Sequence, residues 1–513
     1  MATAAGTQGC DPRAPPPPAA VFNGGPDAPG ALPDTAQWCS AIASFGGKYA
    51  TLVAKHLCGF ALWKSRAASG NFTFDYGVPD DAHDVVRSLA EECNAVGVKL
   101  GIYYSTNANA YLNVVNGQVQ PLPAGDPRPR ITQQQYVDVV VQQLTELWTG
   151  YGPLAEIWFD GGFDVPGMGD KLVALYNSTQ HHASVFNGCG LASNPVAWIG
   201  SETGHAAYPV WNTQTGCASG TGTEDGDAWV PKEVDLTLQR SDTWFYDAAQ
   251  GYRDLETMVS IYHDSVGHGG NMLLNLAPPH NTTLPDEAMD LYTALGRFTR
   301  SCYGVGAAPS ASALAHTACV HCDGDVTLTA DADAAAGGTL RFDRVLLKED
   351  MAEGHNVLAF EILADGAQIF NGTAVGRSLI VLLDQNVTAK EVTVRVTKSR
   401  APPTFRLLSL PDPDACVVGG GGGGGGGGCN LQEGVVIGGR PVPGVPVSQV
   451  ADVAACCGAC TTRPLDCVAF TATPVSSGGF ECTLLKATGG KTTALPGAVS
   501  GAPKDQNNTQ KLR

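Results

Sequence analysis

The 513-residue chain is predicted to be an α/β protein built on a (β/α) barrel, continued by an all-β sandwich and a small disulfide-rich module. Three observations predict this. Strand-like and helix-like segments alternate from about residue 35 to 302, as a parallel sheet with helical crossovers requires, and so many units favour a barrel over an open sheet. From 303 to about 412 only short, turn-bounded β runs occur, the pattern of a sandwich. Beyond a glycine run, six cysteines crowd into one segment. The boundaries expected are 21–302 for the barrel, 303–415 for the sandwich, 416–428 for a flexible linker and 429–513 for the last module.

The barrel elements follow in order. "KYATLVAKH" and "VKLGIYYS" have the bulk of buried strands. Between them, "DDAHDVVRSLAEECNAVG" sets Val85, Leu89, Cys93 and Val96 on one helical face, with acids at its start and Gly97 at its stop. "ITQQQYVDVVVQQLTELWTGYG" predicts a second amphipathic helix and "PLAEIWFDGG" the strand after it. "ASVFNG", "AWIGSE", "DTWFY" and "NMLLNLAPP" are the later strand candidates. In the sandwich region "GDVTLTA", "TLRFDRVLLKED", "NVLAFEILADG", "SLIVLLD" and "EVTVRVTKS" predict strands. The unbroken run Gly419 to Gly428 reads as a flexible tether.

Composition narrows the function. A formal net charge of −18 argues against nucleic acid or an anionic membrane as partner. No apolar stretch reaches the length of a membrane span. Sixteen cysteines, six of them at 429, 456, 457, 460, 467 and 482, read as a disulfide framework and hence a secretory-route protein. Cys457-Gly-Ala-Cys460 has no second pair and no nearby histidine, which argues against zinc. Sequons at Asn71, Asn177, Asn281, Asn371, Asn386 and Asn507 agree with secretion. Residues 1–20 have neither a basic start nor an apolar core, so they are not a signal peptide, and the true N-terminus is expected upstream.

The chemistry is expected at strand ends. "EIWFDGG" closes an apolar strand on Asp160, followed by two glycines that free the backbone where it leaves the sheet. A carboxylate at the catalytic rim of a barrel suits acid/base or nucleophilic work, for which glycoside cleavage is the commonest use of two such groups. Glu202 in "AWIGSETG" has the same grammar and is the partner expected; its neighbours Trp198 and Ile199 predict an apolar setting that raises its pKa. Glu224, Asp225 and Glu233 are rivals in a region read as loop. Trp158 shares a strand face with Asp160 and suits stacking on a sugar. His56, ending "TLVAKH", stands where a hydroxyl ligand would.

Taken together, "YATLVAKHLCGFALW", "DVVRSLAEECNAVGVKLGIYYS", "EIWFDGG", "AWIGSETG", "WVPKEVDLTLQRSDTWFY" and "IYHDSVGHGGNMLLNLAPP" resemble successive blocks of the family 29 glycoside hydrolases, the α-L-fucosidases. "WIGSETG" and "WVPKEVD" look most like the plant and bacterial branch acting on α-1,3/1,4-linked fucose. "TLRFDRVLLKED" and "VTKSRAPPTFRLLSL" resemble the sandwich after the barrel in plant members. The resemblance implies Asp160 as nucleophile and Glu202 as general acid/base of a retaining double displacement without cofactor or metal. It implies sugar contacts from His56, Trp158 and one tyrosine of the Tyr103-Tyr104 pair, with Tyr104 the candidate. The substrates it implies are fucosylated oligosaccharides, glycoproteins or polysaccharides, met outside the cell or in a lysosome- or vacuole-like compartment.

Two departures stand out. Leu57 occupies the place of a second histidine in the family's Lys-His-His-Asp-Gly-Phe element. The family's first barrel strand, which ends in a fucose-binding His-Phe-Gly, has no counterpart, because "VFNGGPDAPGALPDTAQWCSAI" already resembles the segment after it. The barrel is therefore expected to lack one strand and to expose two edges. "CNLQEGVVIG", "ADVAACCGAC", "CVAF" and "CTLLK" look like a PAN/Apple domain, which implies a protein or glycan partner for the last module. The alternative reading is a catalytically impaired fucosidase-like protein that binds glycan or protein through that module.

Overall fold

The computed structural model describes residues 32–304, except 80–81, 241–243 and 280, and residues 339–418; from 419 to 513 it describes only the backbone of four strands. The chain divides into two units between Val418 and Gly419.

The first unit contains the expected alternation. Helix α1 (Thr35–Ser44) starts at Asp34, whose carboxylate accepts the Gln37 N–H at 2.9 Å, a side-chain N-cap. It leads into strand β1 (Tyr49–Lys55). Helix α2 (Val85–Ala95) is capped the same way by Asp84 and precedes β2 (Lys99–Tyr104). Helix α3 (Gln133–Gly150) opens on a complete Thr132/Gln135 capping box. Strand β3 (Glu156–Trp158), helix α4 (Gly169–Thr179), and strands β4 (Ser184–Phe186) and β5 (Pro195–Trp198) follow. Strand β6 (Lys232–Leu236), helix α5 (Leu255–Ser265), strand β7 (Asn271–Leu274) and helix α6 (Asp286–Tyr303) complete the set. The disulfide Cys39–Cys93 joins α1 to α2.

The seven strands form one sheet in sequential order, β1 to β7, and every neighbouring pair is parallel. A closed eight-stranded barrel would pair each strand twice; among the described residues β1 and β7 each pair on one side only.

Two element readings are corrected. "DTWFY" forms no described strand: Trp244 and Phe245 lie in a bend. Instead "KEVDL", read as loop, is β6, with all five residues buried. Its inner face carries Glu233 and Asp235 rather than apolar groups, so the alternation that marks a strand was inverted in polarity.

Beyond α6 two antiparallel three-stranded sheets form the all-β part: β8 (Leu340–Glu349) between β11 (Leu379–Ala389) and β13 (Phe405–Ser409), and β9 (Val357–Ala364) between β10 (Ala367–Gly372) and β12 (Val392–Ser399). The β9–β10 hairpin turns at Asp365-Gly366, both with positive φ (48° and 81°), as a two-residue type I′ loop needs. Phe342, Val345, Phe360, Ile362, Val392 and Val394 make its core. The disulfide Cys302–Cys416 ties the end of α6 to the segment after β13. The strand read at "GDVTLTA" lies outside the described residues.

Cys416, expected at the start of the linker, is a buried part of the first unit; the glycine run lies outside the described residues. In the second unit the strand Phe480–Pro503 pairs antiparallel with Cys429–Pro441, Ser448–Val450 and Ala469–Pro474. The Cys-Cys-x-x-Cys helix and the cysteine framework that carry the Apple resemblance lie outside the described residues.

Candidate active site

Side chains at the carboxyl ends of β1, β2 and β3 converge on a cavity of about 1590 Å³ whose lining includes His56, Tyr103, Trp158, Asp160, Glu202, Asp235, Trp244 and Phe245. Asp160 comes two residues after β3, and Gly161 and Gly162 both have positive φ (67° and 89°), so the double glycine makes the turn that leaves the carboxylate at the rim. The Tyr103 hydroxyl donates to Asp160 Oδ2 at 2.7 Å. Burial, reinforced by the Asp160 charge and this bond, pushes the Tyr103 phenol well above its usual pKa, so it stays a donor.

The aromatic groups form one stack. Trp158 lies over Phe186 at 4.1 Å and 7° between planes, and beside Tyr103 at 5.1 Å; Tyr103 in turn stacks on His56 at 5.6 Å. Phe245 meets His56 edge-on at 5.3 Å. Stacked on one another, these rings turn apolar edges to the cavity, a lining against which a sugar ring can pack. Burial lowers the His56 pKa, the Asp160 charge opposes this, and Lys55 adds to the lowering.

Lys55 is wholly buried under the rim. Its Nζ donates to the Ser105 carbonyl and, at 2.9 Å, to the Ala108 carbonyl. Burial brings its pKa down to about 7 while Asp160 pulls it up. It thereby fixes the loop from which Asn107 donates to the Gly161 carbonyl at 2.7 Å.

Glu202 lies on the loop after β5 and lines the same cavity, but it is exposed, contrary to the apolar setting expected. Its described partner is the Trp244 indole, which donates to Oε2 at 3.0 Å. The rivals stand elsewhere. Glu224 pairs with Lys398 of β12 at 2.7 Å, and Asp225 is exposed. Glu233 is fully buried below the site: Oε1 accepts from the Trp158 indole at 2.8 Å, and Oε2 from Tyr49 and Asn271 at 2.9 Å each. It holds the stacking tryptophan instead of facing the cavity.

Glu156 shares this interior and accepts from Thr51 Oγ1 at 2.7 Å. Burial first, and the Glu233 charge second, raise its pKa well above the carboxylate range, as like charges confined together must. Asp235, two residues after Glu233 on the same strand face, accepts from the Trp198 indole at 2.7 Å. Burial lifts it to about 7; the Trp198 bond opposes this and the Glu202 and Glu233 charges add to it.

Tyr104 is corrected. Strand alternation turns it away from Tyr103; it is 0% exposed and donates to Gln143 of α3 at 2.6 Å. Tyr103 is the tyrosine in the cavity. Trp244, Phe245, Asp235 and Lys55 were not singled out from the sequence. The signal for Asp235 was its i+2 spacing from Glu233; the aromatic triplet at 244–246 was spent on a strand.

The α-L-fucosidase family model matches residues 32–303, more than half of the chain. The Arabidopsis thaliana Alpha-L-fucosidase 1 is 28% identical over 277 residues, covering 50% of this chain and 49% of that protein. The Branchiostoma floridae Alpha-L-fucosidase is 26% identical over 255 residues, covering 48% and 51%. The chain thus spans about half the length of the curated relatives it matches. A Ruminococcus gnavus family 29 fucosidase solved in complex with fucose superposes with a TM-score of 0.58 at 17% identity, over 74% of this chain and 85% of that one, which speaks for a shared fold. On the matched barrel region, the chain belongs to the α-L-fucosidase family.

Proposed function

We propose that the chain is a retaining exo-α-L-fucosidase that removes terminal α-linked L-fucose from glycoprotein glycans or cell-wall polysaccharide. The observation that carries this reading is a carboxylate at a strand's carboxyl end, Asp160, fixed by a tyrosine hydroxyl beside an aromatic wall, with a second carboxylate, Glu202, on the same cavity.

In the first step an Asp160 oxygen bonds to the anomeric carbon. The glycosidic bond breaks and its oxygen leaves with a proton from Glu202. In the second, Glu202 takes a proton from water, the water oxygen bonds to the anomeric carbon, and the ester to Asp160 breaks with net retention. The Tyr103 hydroxyl orients Asp160, and Trp158 packs against the apolar face of the sugar. His56 supplies a hydrogen bond to a sugar hydroxyl.

The disulfides Cys39–Cys93, Cys189–Cys217 and Cys302–Cys416 support an oxidising compartment, outside the cell or in a lysosome- or vacuole-like lumen. Inactivation with a fluorinated fucosyl fluoride followed by peptide mapping tests the nucleophile. Label on Asp160 is expected, and label on another acid, or full activity of Asp160→Asn, overturns the assignment.

A further inference from the structure

The loop that bears Glu202 is anchored at points that say how its carboxylate is aimed. Upstream, the Ile199 N–H donates to the Glu233 carbonyl at 2.9 Å. Downstream, Thr203 bridges Leu236, and the Gly204 N–H donates to the Asp235 carbonyl at 3.1 Å. Gly204 has φ 81°, and a Cβ there would stand 2.7 Å from Ile261 of α5, so the loop is pressed onto that helix. Asp264 of α5 then grips the next two residues. Its Oδ2 lies 2.6 Å from His205 Nδ1, and its carbonyl accepts the Ala206 N–H at 3.2 Å. From the other side, His268 Nδ1 meets the Ala206 carbonyl at 2.6 Å.

The His205–Asp264 pair is half-exposed, with side-chain exposures of 45% and 39%. Exposed ion pairs contribute only about 0–1 kcal/mol to folding, so a stabilising role accounts poorly for it. Its position accounts for it better: it closes a turn three residues after the carboxylate and ties that turn to a rigid helix. We infer that His205 and Asp264 are positioning residues that hold the Glu202 loop in register with the nucleophile. This rests on reading Glu202 as the general acid/base.

Displacing a catalytic group by about an ångström costs on the order of 100-fold. The loss should fall on the step that needs Glu202. His205→Ala and Asp264→Ala should therefore lower kcat/KM on unactivated fucosides roughly 10–100-fold. Nitrophenyl fucoside, whose leaving group needs no proton, should keep its kcat/KM within about threefold, because that ratio reports the first step and not the release step in which Glu202 serves as base. Tm should stay near wild type, and His205→Asn, whose amide nitrogen takes the place of Nδ1, should recover most of the loss. Equal losses on both substrates, or no loss on either, overturn the inference.

Glu202→Ala measured alongside separates the two readings. If it shows the leaving-group dependence and His205→Ala behaves as wild type, the positioning role falls and the acid/base assignment stands. If Glu202→Ala lacks that dependence, the acid/base assignment falls and takes the positioning role with it.

Discussion

Tyr103 on β2 and Asp160, in the turn that leaves the adjacent β3, are joined by a 2.7 Å bond from the phenol to the carboxylate. A hydrogen bond to a charged group is worth roughly 1.5–3 kcal/mol, so Tyr103→Phe should slow turnover roughly 10–100-fold. The ring and its stacking survive the change, so KM should move little. Steady-state kinetics with an aryl fucoside, and an unaltered circular dichroism spectrum, make the comparison.

Tyr104→Phe should do the opposite. Its bond to Gln143 lies between sheet and helix, so the expected loss is about 1 kcal/mol of stability, with kcat and KM unchanged. Urea titration reads the first and kinetics the second.

Burial first, and the Glu233 charge beside it second, raise the Glu156 pKa well above the carboxylate range. Glu156→Gln, an uncharged group of the same shape, should fold and turn over nearly as wild type. Glu233→Ala should be far worse, since it strips partners from Trp158, Tyr49 and Asn271 together, at roughly 1–3 kcal/mol for each buried donor left unmet. Equal effects in thermal melts would contradict this division of roles.

Asp235 sets a pH dependence. Its folded pKa of about 7 exceeds its ordinary value of 3.8, so between the two the native state binds a proton that the unfolded chain has released. Unfolding free energy therefore falls as pH rises through this window. Asp235→Asn should flatten that slope, as measured by denaturant midpoints from about pH 3 to about pH 8, endpoints that lie roughly one unit outside the window.

The disulfide Cys302–Cys416 closes a separation of 114 residues. Loop-entropy accounting assigns a loop of this size about 4–5 kcal/mol. Cys302→Ala paired with Cys416→Ala should lower Tm by several degrees while leaving the chemistry at Asp160 intact.

Much of this was legible in the sequence, for identifiable reasons. Asp160 stood out only with its surroundings: alone, an Asp-Gly turn accounts for it, but the later segment around Glu202 repeats the grammar of apolar strand, acid and flexible exit. The barrel's alternation was visible because helices such as α2 and α3 carry side-chain caps and apolar faces. Tyr103 and Tyr104 could not be told apart: alternation says that neighbours face opposite ways, not which of them faces in. Strand β6 was hidden because its inward residues are carboxylates, satisfied only by Tyr49, Trp158, Trp198 and Asn271 from other strands. Trp244 was misplaced because an aromatic triplet suits a strand and a cavity wall equally.

The bond set around Glu233 has a mechanical meaning. Among the described residues β1 and β7 are the outer strands of the sheet; Tyr49 stands on the first and Asn271 on the second, and both hold the same carboxylate oxygen. A slotted ring springs open unless a tie crosses the slot, and Glu233 is such a tie. Loosening it would widen the mouth between β1 and β7, moving His56 at the end of β1 before Asp160, which sits two strands inward. Hydrogen exchange should then quicken first in β1 and β7, with β3 the last of the three to follow.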